Sequence, residues 1–230
     1  MKTNIIVTGA SRGIGAAIVA AFNADTTNVV ALSSQDGDLN HPLVPAGLWQ
    51  RALQQLDGRV NVLINNAGVF EANPIAASDD QWLENWNRTL QINLTASADL
   101  CRRAVLYWQG TQTCGRIVNI ASRAAHRGDS PDHWHYAASK AGMVAMTKTI
   151  ARAYAAEQIY AFAVCPGFTM TGMAEDYLAS RGGGKLLADI PLGKVADPEE
   201  VAAIAKFCAL DAPPSMTGAV LDVNGASYVR

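Results

Sequence analysis

Tyr136 and Lys140 are the residues of this 230-residue chain whose types and spacing best suit proton chemistry. At i and i+4 they share one face wherever the segment is helical. A tyrosine at its ordinary pKa of about 10 is a poor base near neutrality. An adjacent ammonium favours the phenolate and draws that pKa toward the working pH, as acid–base catalysis requires. Alone, the pair could equally be ordinary surface decoration. Upstream, Thr8-Gly9-Ala10-Ser11-Arg12-Gly13-Ile14-Gly15 offers a second chemistry. Glycines so spaced let backbone turn tightly and lie against a pyrophosphate, whose charge then rests on the N-terminus of the next helix. The spacing is G-x-x-x-G-x-G rather than G-x-G-x-x-G, so on these residues alone a ligand-free strand–helix turn is the alternative.

The elements that must position these residues are legible as an alternation. Short β-branched runs fall at 4–8, 28–32, 60–65, 116–120, 160–165 and 219–223. Amphipathic stretches lie between them at 14–23, 45–56, 79–109, 136–158 and 198–210. Strands alternating with helices predict one parallel sheet covered on both faces, a doubly wound Rossmann-type α/β fold spanning residues 1–230 as a single domain. Ligands of such sheets bind beyond the carboxyl ends of the strands, where the motifs fall. Ser78-x-x-Gln81 predicts a capped helix start, and Pro198-Glu199-Glu200 places proline and two acids in a first helical turn. The glycine-rich stretch at 181–185 reads as loop, because too little chain follows it to build a second core.

Bulk composition narrows the partners. Lys plus Arg number 18 and Asp plus Glu 20, a formal net charge of −2. That balance predicts neither a nucleic-acid footprint nor a polybasic membrane patch. No apolar run reaches spanning length and no signal peptide is expected. Cys101, Cys114, Cys165 and Cys208 are scattered with no C-x-x-C, which suits buried thiols in a reducing cytoplasm.

The motifs in order carry a stronger message. The T-G-x-x-x-G-x-G turn, Asn65-Asn66-Ala67-Gly68 at a strand end, Asn93 inside a long helical segment, Ser122 after a strand, and Tyr136-x-x-x-Lys140 follow one another. Pro166-Gly167-Phe168-Thr169-Met170-Thr171, Pro191-Leu192-Gly193 and Thr217-Gly218 with Asp222-Val223-Asn224-Gly225 continue the series. Together they resemble the short-chain dehydrogenase/reductase family over nearly the whole chain, and the Pro-Gly segment looks most like that of 3-oxoacyl thioester reductases. The resemblance implies an oxidoreductase acting on CH–OH groups, interconverting a carbonyl and a secondary alcohol by hydride transfer from a nicotinamide cofactor. It implies Tyr136 as general acid/base, Lys140 also bonding the nicotinamide ribose, and Asn93 holding a water that leads protons toward the lysine. Ser122 would donate to the substrate oxygen, where negative charge grows. The cofactor set it implies is Gly9, Ser11, Arg12, Gly13, Ile14, Gly15, Ser33, Ser34, Asp38, Leu39, Asn65, Ala67, Gly68, Tyr136, Lys140, Pro166, Gly167, Thr169 and Thr171.

Cofactor choice is made at the end of the second strand, where a carboxylate would hold the ribose hydroxyls of NAD and repel a 2′-phosphate. Here the strand ends in Ser33-Ser34, and Arg12 is placed for a phosphate, so NADP(H) is favoured over NAD(H). Asp36 complicates this choice and reads as just past the strand, in a turn with Gly37. The family's usual helix and third strand have no room before Asp38-Leu39. The helix there is expected to be missing or reduced to a loop, with Asp38 as adenine contact and Leu39 as a pocket wall.

Three segments, Phe70-Glu71, 123–135 and 168–192, are expected to shape the substrate pocket, and their aromatics and methionines suit a medium-sized, largely apolar carbonyl compound. Thr113 and Glu157 stand where the resemblance leads one to expect basic residues for a carrier protein, although Arg123 and Arg127 are near. His126, His133 and His135 with Asp129 and Asp132 could be metal ligands; a polar loop at the pocket mouth is the expected reading, and no metal is expected. The resemblance implies a homodimer or homotetramer through 79–109 and 136–158. The alternatives are an NAD-dependent alcohol or polyol dehydrogenase and a non-catalytic dinucleotide-binding sensor.

Overall fold

The computed structural model describes residues 2–170 and 187–230. Six strands form one wholly parallel sheet in the order β2-β1-β3-β4-β5-β6. They are β1 (Thr3–Thr8), β2 (Thr27–Leu32), β3 (Val62–Asn65), β4 (Gly115–Ile120), β5 (Ile159–Pro166) and β6 (Val220–Val223). Each coincides with a β-branched run to within a few residues. The helices are α1 (Gly13–Ala21), α2 (Val44–Gln55), α3 (Asp79–Leu90), α4 (Ala96–Thr111), α5 (Ala124–Arg127), α6 (Trp134–Tyr154) and α7 (Pro198–Lys206).

Successive strand residues point to opposite faces, so the sheet builds two cores. Ile6, Leu63, Ile117 and Ala161 pack with Leu48, Leu100 and Trp108 of α2 and α4. Ile5, Val7, Ile64, Val118 and Phe162 pack on the other face against Ile18 of α1 and Val201 and Ala205 of α7. Most of these side chains are fully buried, each contributing roughly 1.5–3 kcal/mol relative to exposure. The Ser78 hydroxyl caps α3 by accepting from the Gln81 N–H at 3.4 Å. A capping box between Asp197 and Glu200 starts α7 behind Pro198.

The shortened edge is as expected. Residues 33–43 hold neither helix nor strand, α2 follows at once, and the sheet ends at β2. The long helical segment at 79–109 is not regular, however. A π-helical turn, Gln91–Thr95, separates α3 from α4 and contains Asn93. An extra residue in a helical turn breaks the i→i−4 ladder locally, and such turns cluster at functional sites.

Strand order reverses between β1 and β3, and the loops leaving those strands diverge. The crevice this opens at the carboxyl edge is where a ligand of such a sheet is held. Gly9, Asn66, Ser122 and Gly167 all lie on that edge, each just past the end of its strand.

Candidate active site

The glycine turn is built against the end of β3. Gly9 and Gly13 have positive φ, 66° and 53°, which glycine adopts without strain. A Cβ on Gly15 would stand 2.1 Å from the Gly9 carbonyl oxygen, and one on Gly9 would stand 2.7 Å from Ala67 Cα. The Thr8 hydroxyl accepts from the Asn66 and Ala67 N–H groups, both at 3.1 Å, while Asn66 Nδ2 donates to the Thr8 and Gly9 carbonyls. No side chain caps α1 at Arg12, and its first turn holds no acid. The positive end of that helix is therefore left for an anion. Ser11 and Arg12 are exposed beside it, and Gly13 and Ile14 open the helix.

Asn65 and Asn66 divide their tasks in a way that sequence spacing did not reveal. Asn65 is fully buried, and its Nδ2 donates to Asn119 Oδ1 at 2.9 Å and Cys101 Sγ at 3.2 Å. Its side chain thus turns into the core, away from the cofactor role expected of it, and only its backbone lies at the edge. Ala67 and exposed Gly68 remain at the crevice. A Cβ on Gly68 would meet Asn93 Oδ1 at 3.3 Å and Lys140 Nζ at 3.5 Å.

Asn93 fastens the π-helical turn to this edge. Its Oδ1 accepts from the Val69 N–H at 2.8 Å, and its Nδ2 donates to the Val69 carbonyl at 3.0 Å and to Ser139 Oγ at 3.2 Å. Both side-chain atoms of Asn93 are thus engaged on protein, and its main-chain carbonyl accepts from the Ser97 hydroxyl at 3.4 Å.

Ser122, Tyr136 and Lys140 come together across β4 and α6. Ser122 follows β4, and its hydroxyl accepts from the Ala124 N–H at 3.1 Å as α5 begins. Lys140 is buried; its Nζ donates to the Ile120 carbonyl at 2.8 Å and lies 5.8 Å from the Tyr136 ring centroid. Burial pushes the Lys140 ammonium down to about 8. Burial pushes the Tyr136 phenol up to about 12, against a hydrogen bond with Ser122 that pulls it down. The lowered tyrosine pKa expected from the i, i+4 spacing is therefore corrected: desolvation sets the direction, and the ammonium is turned toward Ile120. At neutral pH Tyr136 is a proton donor.

The end of β2 also differs from its reading as two free serines. Asp36 folds back, and one carboxylate oxygen accepts from the Ser33 N–H at 2.8 Å and the Ser33 hydroxyl at 3.1 Å. Arg51 of α2 pairs with the same carboxylate at 3.4 Å. Ser34 and Asp38 are exposed, and Asp38 Oδ1 accepts from the Asn40 N–H. Leu39 packs on the core, and its carbonyl accepts from Gln91 Nε2, which ties this loop to the π-helical turn.

On the far side, Pro166 closes β5 and the Gly167 N–H donates to the Val223 carbonyl at 2.9 Å. Thr169 is buried and bridges to Ala196. Thr171 and the pocket residues Met173 and Tyr177, with the 181–185 stretch, lie outside the described residues. Phe70 meets Tyr136 edge-on at 4.8 Å and stacks on His133 at 3.9 Å. Arg123 is buried over Phe168 and shares Asp189 with Arg127, at 3.4 and 2.7 Å. The three histidines do not all converge: His133 bonds Ser130 and lies 6.3 Å from the His135 ring, His135 is buried beside Trp86, and His126 is apart, stacked on Tyr228.

Comparison with known proteins agrees with this geometry. A family model described as enoyl-(acyl carrier protein) reductase matches residues 46–226. The chain is 36% identical over 242 residues to a 3-oxoacyl-[acyl-carrier-protein] reductase of Synechocystis sp., covering 96% of this chain and 94% of that protein. It is 34% identical over 245 residues to 3beta-hydroxysteroid dehydrogenase 1 of Eggerthella lenta, covering 96% and 92%. The solved structure of gox2181 matches with a TM-score of 0.87 at 26% identity, over 98% of this chain and 95% of that one.

Proposed function

The chain belongs to the short-chain dehydrogenase/reductase family, and on that premise we propose that it reduces 3-oxoacyl thioester-like carbonyl compounds with NADP(H), using Tyr136, Ser122, Lys140 and Asn93. It is an oxidoreductase of hydroxyl and carbonyl groups that uses a nicotinamide cofactor.

The observation that carries the assignment of roles is the half-buried Tyr136 phenol, with Ser122 beside it and the buried Lys140 ammonium 5.8 Å from its ring centroid. The nicotinamide, when bound, supplies the hydride. The chain's own residues do the rest. Ser122 and Tyr136 donate hydrogen bonds to the carbonyl oxygen as its charge grows, and the Tyr136 proton passes to it. Lys140, on the same helical face, holds positive charge near the phenolate left behind and lowers the cost of forming it. Asn93 fastens the π-helical turn to the Val69 backbone and to Ser139, on the helix that carries Lys140.

The uncapped start of α1 and the close-packed Gly9 and Gly15 fit a pyrophosphate. NADP(H) is supported by exposed Arg12 and Ser34 and by Arg51, which offsets the Asp36 carboxylate. One observation favours a second reading, NAD(H): Asp36 does stand at the end of β2, bonded to Ser33. The thioester reading rests on the name of the Synechocystis relative. Thr113 and Glu157, which bonds Gln109, leave out the basic docking face that a carrier protein would want, so a small thioester is the better substrate. A homodimer or homotetramer is the assembly inferred, supported by exposed Leu83 and Leu106 on α3 and α4, and the four free thiols suit a cytoplasmic location.

The test is Tyr136→Phe assayed on a panel of 3-oxoacyl thioesters, ketones and secondary alcohols with NADPH and NADH. Wild type should turn over 3-oxoacyl thioesters with NADPH ahead of NADH, and the variant should bind NADPH but turn over nothing. Cofactor binding without turnover by wild type would instead support a sensor.

A further inference from the structure

Three side chains from three separate elements converge beneath Ser122. They are His126 on α5, Cys165 on β5 and Asp222 on β6, and their ligating atoms all lie within 4.8 Å of one another. His126 Nε2 is 3.7 Å from Cys165 Sγ. Tetrahedral zinc, with Zn–S of about 2.3 Å and Zn–N of about 2.0–2.1 Å, sets sulfur and nitrogen about 3.6 Å apart. The first two ligands therefore already stand at coordination spacing. The third is delivered by strand register, since Cys165 pairs directly with Asp222 across β5 and β6. The His126 ring is held in place by parallel stacking on Tyr228, with centroids 5.6 Å apart.

We propose that His126, Cys165 and Asp222 bind a zinc-type divalent cation, with solvent in the fourth position. This inference stands apart from the reading of the carbonyl site. Thiolate and imidazole select zinc over magnesium or calcium, which prefer all-oxygen shells. One thiolate and one carboxylate offset the charge of the ion, and the Cys165 thiol proton leaves to solvent as its sulfur ligates. A surface cavity of about 420 Å³, lined by Asp222, Asn224, Tyr228 and Arg230 among others, gives the ion an entry path. Arg230 Nε donates to one Asp222 oxygen at 3.0 Å, so the ion takes the other oxygen or displaces the arginine. The Ser122 backbone lies beside the Cys165 side chain, so the ligating sulfur neighbours the residue that carries a proposed catalytic hydroxyl.

The experiment is a zinc titration of chelator-stripped full-length protein against a chromophoric competitor, with cobalt as spectroscopic probe. One equivalent should bind, and the cobalt form should show thiolate-to-metal charge-transfer absorption. Cys165→Ala and His126→Phe should each weaken zinc by more than about tenfold, the least that even outer-sphere changes cost many metal sites. Cys114→Ala, at the exposed thiol, should leave binding unchanged. The phenylalanine keeps the Tyr228 stacking, so if Cys165→Ala fails to fold, His126→Phe decides alone. No stoichiometric binding, binding indifferent to these variants, or a cobalt spectrum without sulfur character overturns the site.

Discussion

Replacing Lys140 by methionine should change how stability depends on pH by an amount that can be worked out beforehand. Burial lowers the Lys140 pKa from 10.5 to about 8. Between those values the unfolded chain holds a proton that the folded chain has released, so stability rises with pH there. Below about pH 8 both states are protonated, and the folded state carries the full cost of a buried ammonium, about 3 kcal/mol from the shift. By pH 9.5 that cost has fallen to about 1 kcal/mol on the same linkage. The methionine variant has no such term. Subtracting it also cancels Tyr136 and the buried cysteines, which burial keeps protonated in both folded proteins up to pH 9.5. Losing the bond from Nζ to the Ile120 carbonyl adds an offset, but one nearly independent of pH. Urea unfolding of both apo proteins at fixed concentration, from pH 7 to 9.5, should therefore show wild type gaining about 2 kcal/mol on the variant. A difference that stays flat over this range would mean that the ammonium is hydrated in the folded state, and the account of Lys140 as a desolvated partner of Tyr136 would fall with it.

Three further outcomes follow from the same geometry. Asn93→Ala should cost about 2–4 kcal/mol, because it strands the Val69 N–H and carbonyl beside the π-helical turn; calorimetric melting within a degree of wild type would show that the turn holds itself. Gly68→Val should lower turnover at least about tenfold, about 1.4 kcal/mol of barrier, since the added carbons meet Asn93 and Lys140; wild-type rates in a folded variant would move Gly68 out of the site. Arg51→Ala should uncover the Asp36 charge and reduce kcat/KM for NADPH relative to NADH by about two- to fivefold, the worth of a solvated ion pair; an unchanged ratio would mean that Asp36 does not sense the 2′-phosphate.

What could be read in advance, and what could not, divides along a physical line. Hydrophobic period and turn residues are local, so every described strand and most helices were legible, as was the missing helix after β2, because Asp38-Leu39 leaves no chain to build it. That Ser122, Tyr136, Lys140 and the glycine turn would meet at one edge was legible from strand ends, a helix start and the i, i+4 spacing. Burial is not local. The i, i+4 spacing of Tyr136 and Lys140 indicated that they were neighbours, but not that Lys140 would be sunk beneath Ile120, so the sign of the tyrosine shift came out reversed. Asn65 and Asn66 are adjacent letters with opposite destinies, since alternation along β3 sends one side chain to Cys101 and Asn119 and the other to the glycine turn.

The histidines make the same point about sites. His126, His133 and His135 crowd together in sequence; His133 and His135 keep their rings 6.3 Å apart, but His126 leaves them and finds Cys165 and Asp222, which are distant in the chain. Parallel register is what joins those two, for β5 and β6 place Cys165 and Asp222 side by side. Both clusters rest on one strand end: β5 carries Cys165 into the trio and Pro166-Gly167 into the cofactor edge, one residue later. A strand end can serve two sites because consecutive residues face opposite ways. An ion held on one face would thus bear on the backbone that positions Ser122 and the Pro-Gly turn on the other.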